Sequence, residues 1–451
     1  MERPYRRRKA AFQPPIAPAL RHGSRLKAAL RPALGWLLLV LLAALLGVTL
    51  AYQFSTRYVL DVGEYYDRVY LRGFHEREPP LDQALPPGGE RYRWSQAHCE
   101  IILPGVGARG WVLVLRLHGW RPAASPPAEV RLSVNGVFLG RVTAGPTWQE
   151  YRLWLPAEVA GDGTVRIEMQ TEPFIPAESG LGGDPRALGL AVSRVELVPL
   201  GGGGFVWPAW EHLGYALLAI AALYLGLLAV GLPLGWAALA AGFAVVPLGY
   251  FLALHRLWTT IYTQRLTIVA VLGLVFVLLF RWLFRRILAW GHVAAAEREI
   301  RLLMVIFYVG FLLKAGGLLY PYSVAWDLKL QLHWASWILD GRLPQLYGPG
   351  SPLNELTMPQ EWGQEKPLIP YSPFYHMTAA TFFFLPWRPY DTANVLSVLL
   401  DTTRSLLLYF LARRLGLSAR AGRWAALLYA VFPATFLLHA WGNAPTTTGL
   451  W

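Results

Sequence analysis

Eight long apolar runs constrain this chain more than any other feature of its sequence. A helix that crosses a bilayer needs roughly 20 mostly apolar residues. The chain also combines a mean hydropathy of +0.35 with only 15% charged residues, as membrane proteins do. We therefore predict a multi-pass α-helical protein of the cell membrane. The predicted spans are 34–54, 209–231, 234–254, 266–289, 301–320, 371–387, 392–412 and 423–441.

The N-terminal segment carries much of the formal net charge of +13. Residues 1–31 hold nine Lys or Arg and one Glu. An apolar run follows at once, so we predict a cytoplasmic tail that touches anionic membrane lipid, and no nucleic-acid partner. No small-residue cleavage site follows 34–54, and we therefore predict an uncleaved anchor helix there.

Between the first two apolar runs, the pattern changes to short alternating segments. Runs such as EVRLSVNG, YRLWLP and TVRIEMQ have the period of two that is typical of strands. Asn135-Gly136 separates two such runs and favours a tight hairpin turn. We therefore predict that an external all-β sandwich, similar to a jelly roll, is inserted between the first two membrane helices.

The aromatic residues of this β region have two interpretations. Trp111, Trp120, Trp148 and Trp154 either form a platform on which sugars stack or fill the interior of the sandwich, and the second interpretation is favoured. Cys99 is the single cysteine, so a disulfide within the chain is excluded. We expect the apolar core alone to stabilise this domain.

The two patterns together predict the domain organisation. A tail and one anchor helix precede the β sandwich, four helices follow it, and a polar external loop separates these from three more. The predicted boundaries are 1–33 for the tail, 34–54 for helix 1, 55–200 for the sandwich, 201–208 for a Gly-rich linker, 209–320 for helices 2–5, 321–370 for the loop and 371–451 for helices 6–8.

The positive-inside rule gives these spans a direction. With the tail in the cytoplasm, 55–206 and 321–370 lie outside, and the arginine-rich segment 281–300 lies inside. One conflict remains, because the same count places 413–423 outside although it carries four arginines. Either the short run 371–387 is re-entrant, or the rule fails here. Lys314, within an apolar run, is expected to snorkel towards an interface.

The polar loop 321–370 holds the candidate active site. It interleaves charges with tryptophans, which favours an ordered, functional segment. Residues 326–339 predict a helix at the membrane surface, ended by Asp340-Gly341. Asp327 is a candidate general base in the first turn of this helix. The alternative is that it only caps the helix, and the residues alone leave both open.

Two motifs around this loop carry a family resemblance. The loop has the pattern D-x5-H-x7-G, which starts at Asp327, and YSPFYHMTA leads into the next apolar run. Both resemble the first external loop of the glycosyltransferase-C superfold, as in polyprenol-phosphate-dependent mannosyltransferases, over roughly 300–445. The VNGVFLG and WQEYRLWLP segments are also similar to galactose-binding-like jelly rolls, a likeness of fold alone.

The resemblance implies sugar transfer at the external face. The donor would be a polyprenyl-phosphate sugar, a co-substrate in place of any cofactor, and the acceptor a glycan or a protein. Asp327 would be the catalytic base. A cation would stabilise the leaving phosphate. The alternative is that each of the charged side chains in the loop is an ordinary solvated residue. The candidate substrate-binding residues are Lys329, His333, Arg342, Lys366, Tyr371 and Tyr375.

The chain departs from this family in two ways. Leu328 follows Asp327 where the family usually has a second acid, which argues against a metal-dependent version, and we predict no metal site. The family also continues for several helices, so we expect the chain to be incomplete at Trp451.

Two other functions stay open. One is a non-enzymatic, membrane-anchored glycan-binding protein of a cell-envelope polysaccharide assembly, in which 55–200 binds glycan and no sugar is transferred. The other is a transporter or lipid flippase, which the absence of an internal repeat disfavours. The sequence also lacks a Walker loop and a dinucleotide-binding motif, so we do not expect an enzyme that uses nucleotide sugars.

Overall fold

A computed structural model shows a β domain seated on one end of a helical bundle. The structure describes residues 20–54, 57–80, 82–85, 89–122, 125–180, 182–201, 204–323, 325–347, 373–440, 442 and 444–449.

Nine antiparallel strands form one continuous, nearly closed sheet in the β domain. The spatial order is β6-β5-β8-β3-β9-β4-β7, with β1 paired to β9 and β2 to β3. β3 connects the two parts of the sheet, β6-β5-β8 and β9-β4-β7, because its residues 98–103 pair with β8 whereas its residues 93–94 pair with β9. The strands are β1 Tyr58–Asp61, β2 Leu71–Glu78, β3 Tyr92–Leu103, β4 Trp111–His118, β5 Ala128–Val134, β6 Val137–Ala144, β7 Gln149–Leu155, β8 Val165–Thr171 and β9 Ala191–Pro199.

Because apolar and polar residues alternate along the strands, the apolar side chains of both parts of the sheet lie in one core. Val130, Leu132 and Val134 of β5 are buried, whereas the intervening Glu129 and Arg131 are exposed. Transfer of such side chains out of water is the main force that stabilises the sheet. The predicted hairpin turn is confirmed, since Asn135 and Gly136 have φ of 50° and 79°. The prediction of an inserted antiparallel β domain is thus confirmed.

Among the described residues, six helices are long and apolar enough to cross a membrane. They include α1, α3 to α6 and α10, and the remaining helices are shorter. The helices are α1 Leu20–Gln53, α2 Ala157–Ala160 within the β domain, α3 Trp210–Ala229, α4 Leu234–Leu254, α5 Arg256–Trp290, α6 Glu297–Leu318, α7 Trp326–Leu339, α8 Leu343–Tyr347, α9 Pro373–Thr381, α10 Pro389–Arg414, α11 Ala419–Val431, α12 Pro433–Ala440 and α13 Ala444–Gly449.

Two of the eight predicted spans are not single long helices in the structure. Within 371–387, α9 has nine residues and rises only about 14 Å, less than half of a hydrocarbon core. Within 423–441, the helix breaks between α11 and α12, because Pro433 has no backbone N–H to donate.

The direction of α10 bears on the conflict over residues 413–423. Near its start, the hydroxyl of Tyr390 accepts a hydrogen bond from the N–H of Ala325 (2.8 Å), next to α7. At its end, Arg414 donates to the carbonyl of Gly291 (3.0 Å), between α5 and α6. The arginines at the end of α10 therefore lie at the same end as 281–300, as the re-entrant interpretation of 371–387 requires.

Buried polar contacts join the β domain to the bundle. Arg256 is 1% exposed and donates to the carbonyls of Ala51 (2.8 Å) at the end of α1 and Val106 (3.2 Å) in the β domain. On another side, the hydroxyl of Tyr322 donates to the carbonyl of Tyr66 (2.5 Å). The β domain and the start of α7 therefore share one end of the bundle, called here the β-domain end.

Candidate functional site

The structure places Asp327 in the first turn of α7, at the β-domain end. The predicted helix over 326–339 matches α7, and Gly341 follows it with a φ of 73°. The side chain of Asp327 is exposed. Among the described residues, its carboxylate has neither a hydrogen-bond donor nor an ion-pair partner. Its carboxylate is therefore open to an external hydroxyl group on this side of α7.

The predicted cationic partners lie on the exposed surface of α7 and just after it. Lys329 Nζ lies 5.0 Å from the centre of the Trp326 ring. Arg342 lies 5.4 Å from the Trp337 ring and 3.7 Å from the carboxylate of Asp340. Both cations are therefore near aromatic faces, and neither contacts Asp327.

The other predicted residues have varied environments. His333 is exposed, with its ring centre 5.8 Å from that of Trp337. Tyr375 is 6% exposed, and its hydroxyl has no hydrogen-bond partner among the described residues. Lys366 and Tyr371 lie outside the described residues.

A buried histidine links α7 to α9. His376 is fully buried, with Nε2 2.5 Å from the side-chain oxygen of Gln331 and Nδ1 2.6 Å from the hydroxyl of Tyr347. A neutral imidazole satisfies both contacts, because Nε2–H donates to the amide oxygen while Nδ1 accepts from the hydroxyl. Burial lowers the pKa of His376 to about 4, which agrees with this neutral form. His376 therefore fixes the helix that carries Asp327.

A second polar cluster lies inside the bundle, and we call it the buried charge cluster. Lys314 of α6 is 3% exposed, pairs with the carboxylate of Asp401 in α10 and donates to the hydroxyl of Thr435 (2.9 Å). The prediction that Lys314 snorkels was wrong, because the acid that pairs with it lies inside the bundle. A buried ionisable residue within membrane helices is itself a candidate functional group.

Asp401 is the centre of this cluster. Tyr429 of α11 donates to its carboxylate (2.7 Å), and Arg404 Nη1 lies 3.4 Å from it. His439 Nε2, from α12, lies 3.4 Å from the other carboxylate oxygen. The cluster thus joins α6, α10 and both halves of the broken helix. The break at Pro433 separates Tyr429 from His439, and both of these side chains contact Asp401.

One face of α10 connects the buried charge cluster with α7. Tyr390, Asn394, Ser397 and Asp401 recur at spacings of three or four residues, which places them on one side of a helix. Ser397 contacts Nδ1 of His439 (3.2 Å). Asn394 is buried, and its side-chain nitrogen has no hydrogen-bond partner among the described residues. This face could have been found in the sequence, since an acid in the middle of an apolar run predicts a buried partner.

The four tryptophans of the β domain do not form one platform. Trp111 is fully buried and Trp148 half-buried, whereas Trp120 and Trp154 are exposed. No ring contact joins any two of these four described side chains. The favoured core interpretation is therefore confirmed for Trp111 and wrong for Trp120 and Trp154.

A polar groove of about 660 Å³ crosses the solvent face of the β sheet. Four exposed side chains stand side by side across four strands, because each pairs with the next in the sheet register. They are Arg141, Arg131, Gln170 and His98. Glu129 and Glu172 also line the groove. Such a surface offers hydrogen-bond donors and acceptors to a polar ligand.

Comparisons with known proteins yield little. No family model and no curated protein matches the chain. A family 35 carbohydrate-binding module from Clostridium thermocellum aligns with 32% of this chain and 99% of its own, at 14% identity and a TM-score of 0.21. The Podospora anserina GH26-CBM35 β-(1,4)-mannanase aligns with 33% of this chain and 28% of its own, at 10% identity and a TM-score of 0.20. Both scores are low, so neither alignment carries an argument about function.

Proposed function

We propose that this protein is a membrane glycosyltransferase, which moves a sugar from a polyprenyl-phosphate donor to an acceptor at the β-domain end of the bundle. The observation that carries the proposal is the position of Asp327. Its carboxylate is exposed, has no partner among the described residues, and follows an apolar helix at the end where the β domain sits. An unpaired carboxylate in such a place can accept a proton from an acceptor.

The reaction then has one displacement step. The acceptor hydroxyl attacks the anomeric carbon of the donor sugar, and Asp327 accepts the hydroxyl proton. A glycosidic bond forms, the bond between the anomeric carbon and the phosphate oxygen breaks, and the polyprenyl phosphate leaves. Lys329 and Arg342 are exposed cations on and just after the helix that carries Asp327, and either stabilises the phosphate if it moves off its aromatic partner.

The helical bundle supports a lipid-linked donor. Its six long apolar helices are of the kind that cross a bilayer, in which a polyprenyl chain is soluble. A donor held there presents its phosphate at a membrane surface. Asp327 lies close to the end of α6, where such a surface is expected.

The test compares Asp327 with Asp340, the residue that directly follows α7. Asp327→Asn should lower transfer from a polyprenyl-phosphate sugar by about 100-fold or more. Asp340→Asn, at the other end of the same helix and also exposed, should retain transfer within about threefold. Full-length protein in vesicles is assayed with a panel of lipid-linked sugars. Equal activity of the Asp327→Asn variant and the parent protein would rule out this catalytic role.

The polar groove of the β domain favours a second function, the binding of glycan without transfer. Arg131 lies within the row of four exposed side chains, and Arg152, exposed on β7, lies outside the groove. Under this alternative, the full-length protein binds envelope glycan, and Arg131→Ala weakens binding whereas Arg152→Ala does not. Binding with no transfer from any donor would favour the alternative, and transfer that depends on Asp327 would exclude it.

A further inference from the structure

An apolar groove of about 700 Å³ lies between α4 and α5, at the β-domain end of the bundle. None of its described lining residues is an acid, a lysine or an arginine. Most of it lies in helices that precede the region of family resemblance, 300–445. Its main lining residues are Ala244, Leu248, Phe251, Trp258, Tyr262 and Tyr320.

Hydrogen bonds attach α5, one wall of the groove, to α3 and α6. Thr267 of α5 donates to the carbonyl of Tyr215 in α3 (2.7 Å), and Tyr262 donates to the carbonyl of Gly316 in α6. On the other side, α4 contains Pro247, which removes a backbone hydrogen bond and favours a bend. Since helices build both walls, the groove is a fixed feature rather than a gap between loops.

The polarity of the groove changes along its length. His255, the single residue between α4 and α5, and Thr259 line its end next to the β domain. Ala244 lies about 15 Å further along α4, by the rise of a helix, and its surroundings are apolar. That length is about half of a hydrocarbon core, so the groove matches one membrane leaflet. A lipid chain with its head group at the His255 end has this distribution of polarity.

The head-group end of the groove leads to α7. Tyr320 lines the groove, and the ring centre of Trp258 lies 5.6 Å from that of Tyr322. Tyr322 precedes Asp327 by five residues. A lipid phosphate at this end of the groove would thus lie on the side of the bundle where the candidate base is exposed. A groove for a membrane lipid that takes no part in the reaction would not have to lie beside α7.

We propose that this groove holds the isoprenoid chain of the lipid-linked donor, an assignment that rests on the proposed function. The chain contacts Ala244, Leu248 and Phe251 of α4 and the aromatic residues of α5. The groove then sets the position of the donor phosphate relative to α7, and α3 to α5 become part of the donor site.

The experiment labels the groove in full-length protein in phospholipid vesicles. The probe is a polyprenyl phosphate with a photoactivatable diazirine in its chain, and labelled peptides are mapped by mass spectrometry. We expect labelling of residues 244–266 that unlabelled polyprenyl phosphate competes away. Ala244→Trp, which fills the groove, should lower labelling about tenfold, whereas Val246→Trp, exposed on the opposite side of α4, should leave it within about twofold.

Three results would overturn the assignment. A phosphatidylcholine with a diazirine in its acyl chain labels the same peptide equally well, unlabelled polyprenyl phosphate does not compete, or a folded Ala244→Trp variant is labelled like the parent. The first two use the parent protein and do not depend on the folding of a variant.

The experiment distinguishes a failure of the groove assignment from a failure of the proposed transferase function. Asp327→Asn should keep full labelling, because the groove binds the chain whether or not the sugar moves. Transfer by a parent protein whose groove is not labelled overturns the groove and keeps the transferase. Competed labelling without transfer from any donor keeps the groove and overturns the transferase.

Discussion

The β domain and the helical bundle each bury charged side chains, but only the β domain does so in a closed pair. Asp67 accepts hydrogen bonds from Nε (2.7 Å) and Nη2 (2.9 Å) of Arg93 and from the N–H of Gly63 (2.6 Å). Arg93 Nη1 donates to the carbonyl of His75 (3.0 Å). One buried acid thus faces one buried base, and nearly every polar atom of the pair has a partner.

The buried charge cluster of the bundle is open by comparison. Asp401 is the one acid within it, and it faces Lys314, Arg404 and His439. Arg404 Nε has no hydrogen-bond partner among the described residues. The cluster therefore keeps at least one positive charge more than negative. A buried charge is tolerated only when partners replace its hydration, so the bundle should be the more sensitive region to loss of its acid.

The largest effect is expected for Asp401→Asn. Two cations then remain buried without an acid, and the free energy of unfolding should fall by roughly 3–5 kcal/mol. The double variant Lys314→Met/Asp401→Asn removes one charge of each sign, so it should recover most of this loss. Thermal unfolding of the purified protein in detergent measures both. A single variant as stable as the parent would show that Asp401 does not stabilise the buried cations of the cluster.

A smaller effect is expected for Asp67→Asn in the β domain. We expect the free energy of unfolding to fall by about 3 kcal/mol. The loss is smaller than for Asp401→Asn because the carboxylate of Glu76 lies 3.7 Å from Arg93 and partly compensates its charge once Asp67 is removed. Amide hydrogen exchange should speed up in β2 and β3 and stay slow in α5 and α6. Equal loosening of both regions would mean that the β domain and the bundle unfold as one unit, and the contrast between them would fail.

The next effect depends on pH and concerns His376. Its pKa is about 4 in the folded protein against an ordinary value of 6.5, so the unfolded chain takes up the proton first as the pH falls. Stability from this group is therefore complete above pH 6.5 and decreases as the pH falls towards 4, by about 1.4 kcal/mol per unit. Exchange of the α7 and α9 amides should rise in this window. His376→Phe should remove the pH dependence, and its persistence in that variant would assign it to another group.

The elements of both regions could be predicted from the sequence, because their signals are local. The apolar runs of α1 and α3 to α6 and the alternation in β5 depend on neighbouring residues only. The fate of 371–387 could not be predicted, since its composition suits a short helix as well as a spanning one. What decides the matter is that α10 begins beside α7, a contact between distant segments.

The two candidate sites show the same limit. The helix that carries Asp327 was predictable from its Asp340-Gly341 end, and the structure confirms that helix. The buried charge cluster was missed because Lys314 and Asp401 are 87 residues apart, and a lysine considered alone is expected to reach for water. Considered together, an acid and a base in two apolar runs predict each other. The catalytic role of Asp327 and the roles of its predicted partners stay predictions.

The smallest effect should come from an ion pair that neither region buries. Arg194 of β9 lies 2.9 Å from its cross-strand partner Asp61, but about half of each side chain is exposed, so water and salt screen the attraction. Asp61→Asn should change the free energy of unfolding by about 0.5 kcal/mol or less. This variant is the control for Asp67→Asn, because both remove one partner of an acid–arginine pair in the same sheet. If chemical denaturation gives equal losses for the two, burial is not what separates strong from weak pairs in this protein, and the larger loss expected for Asp401→Asn would have no basis either.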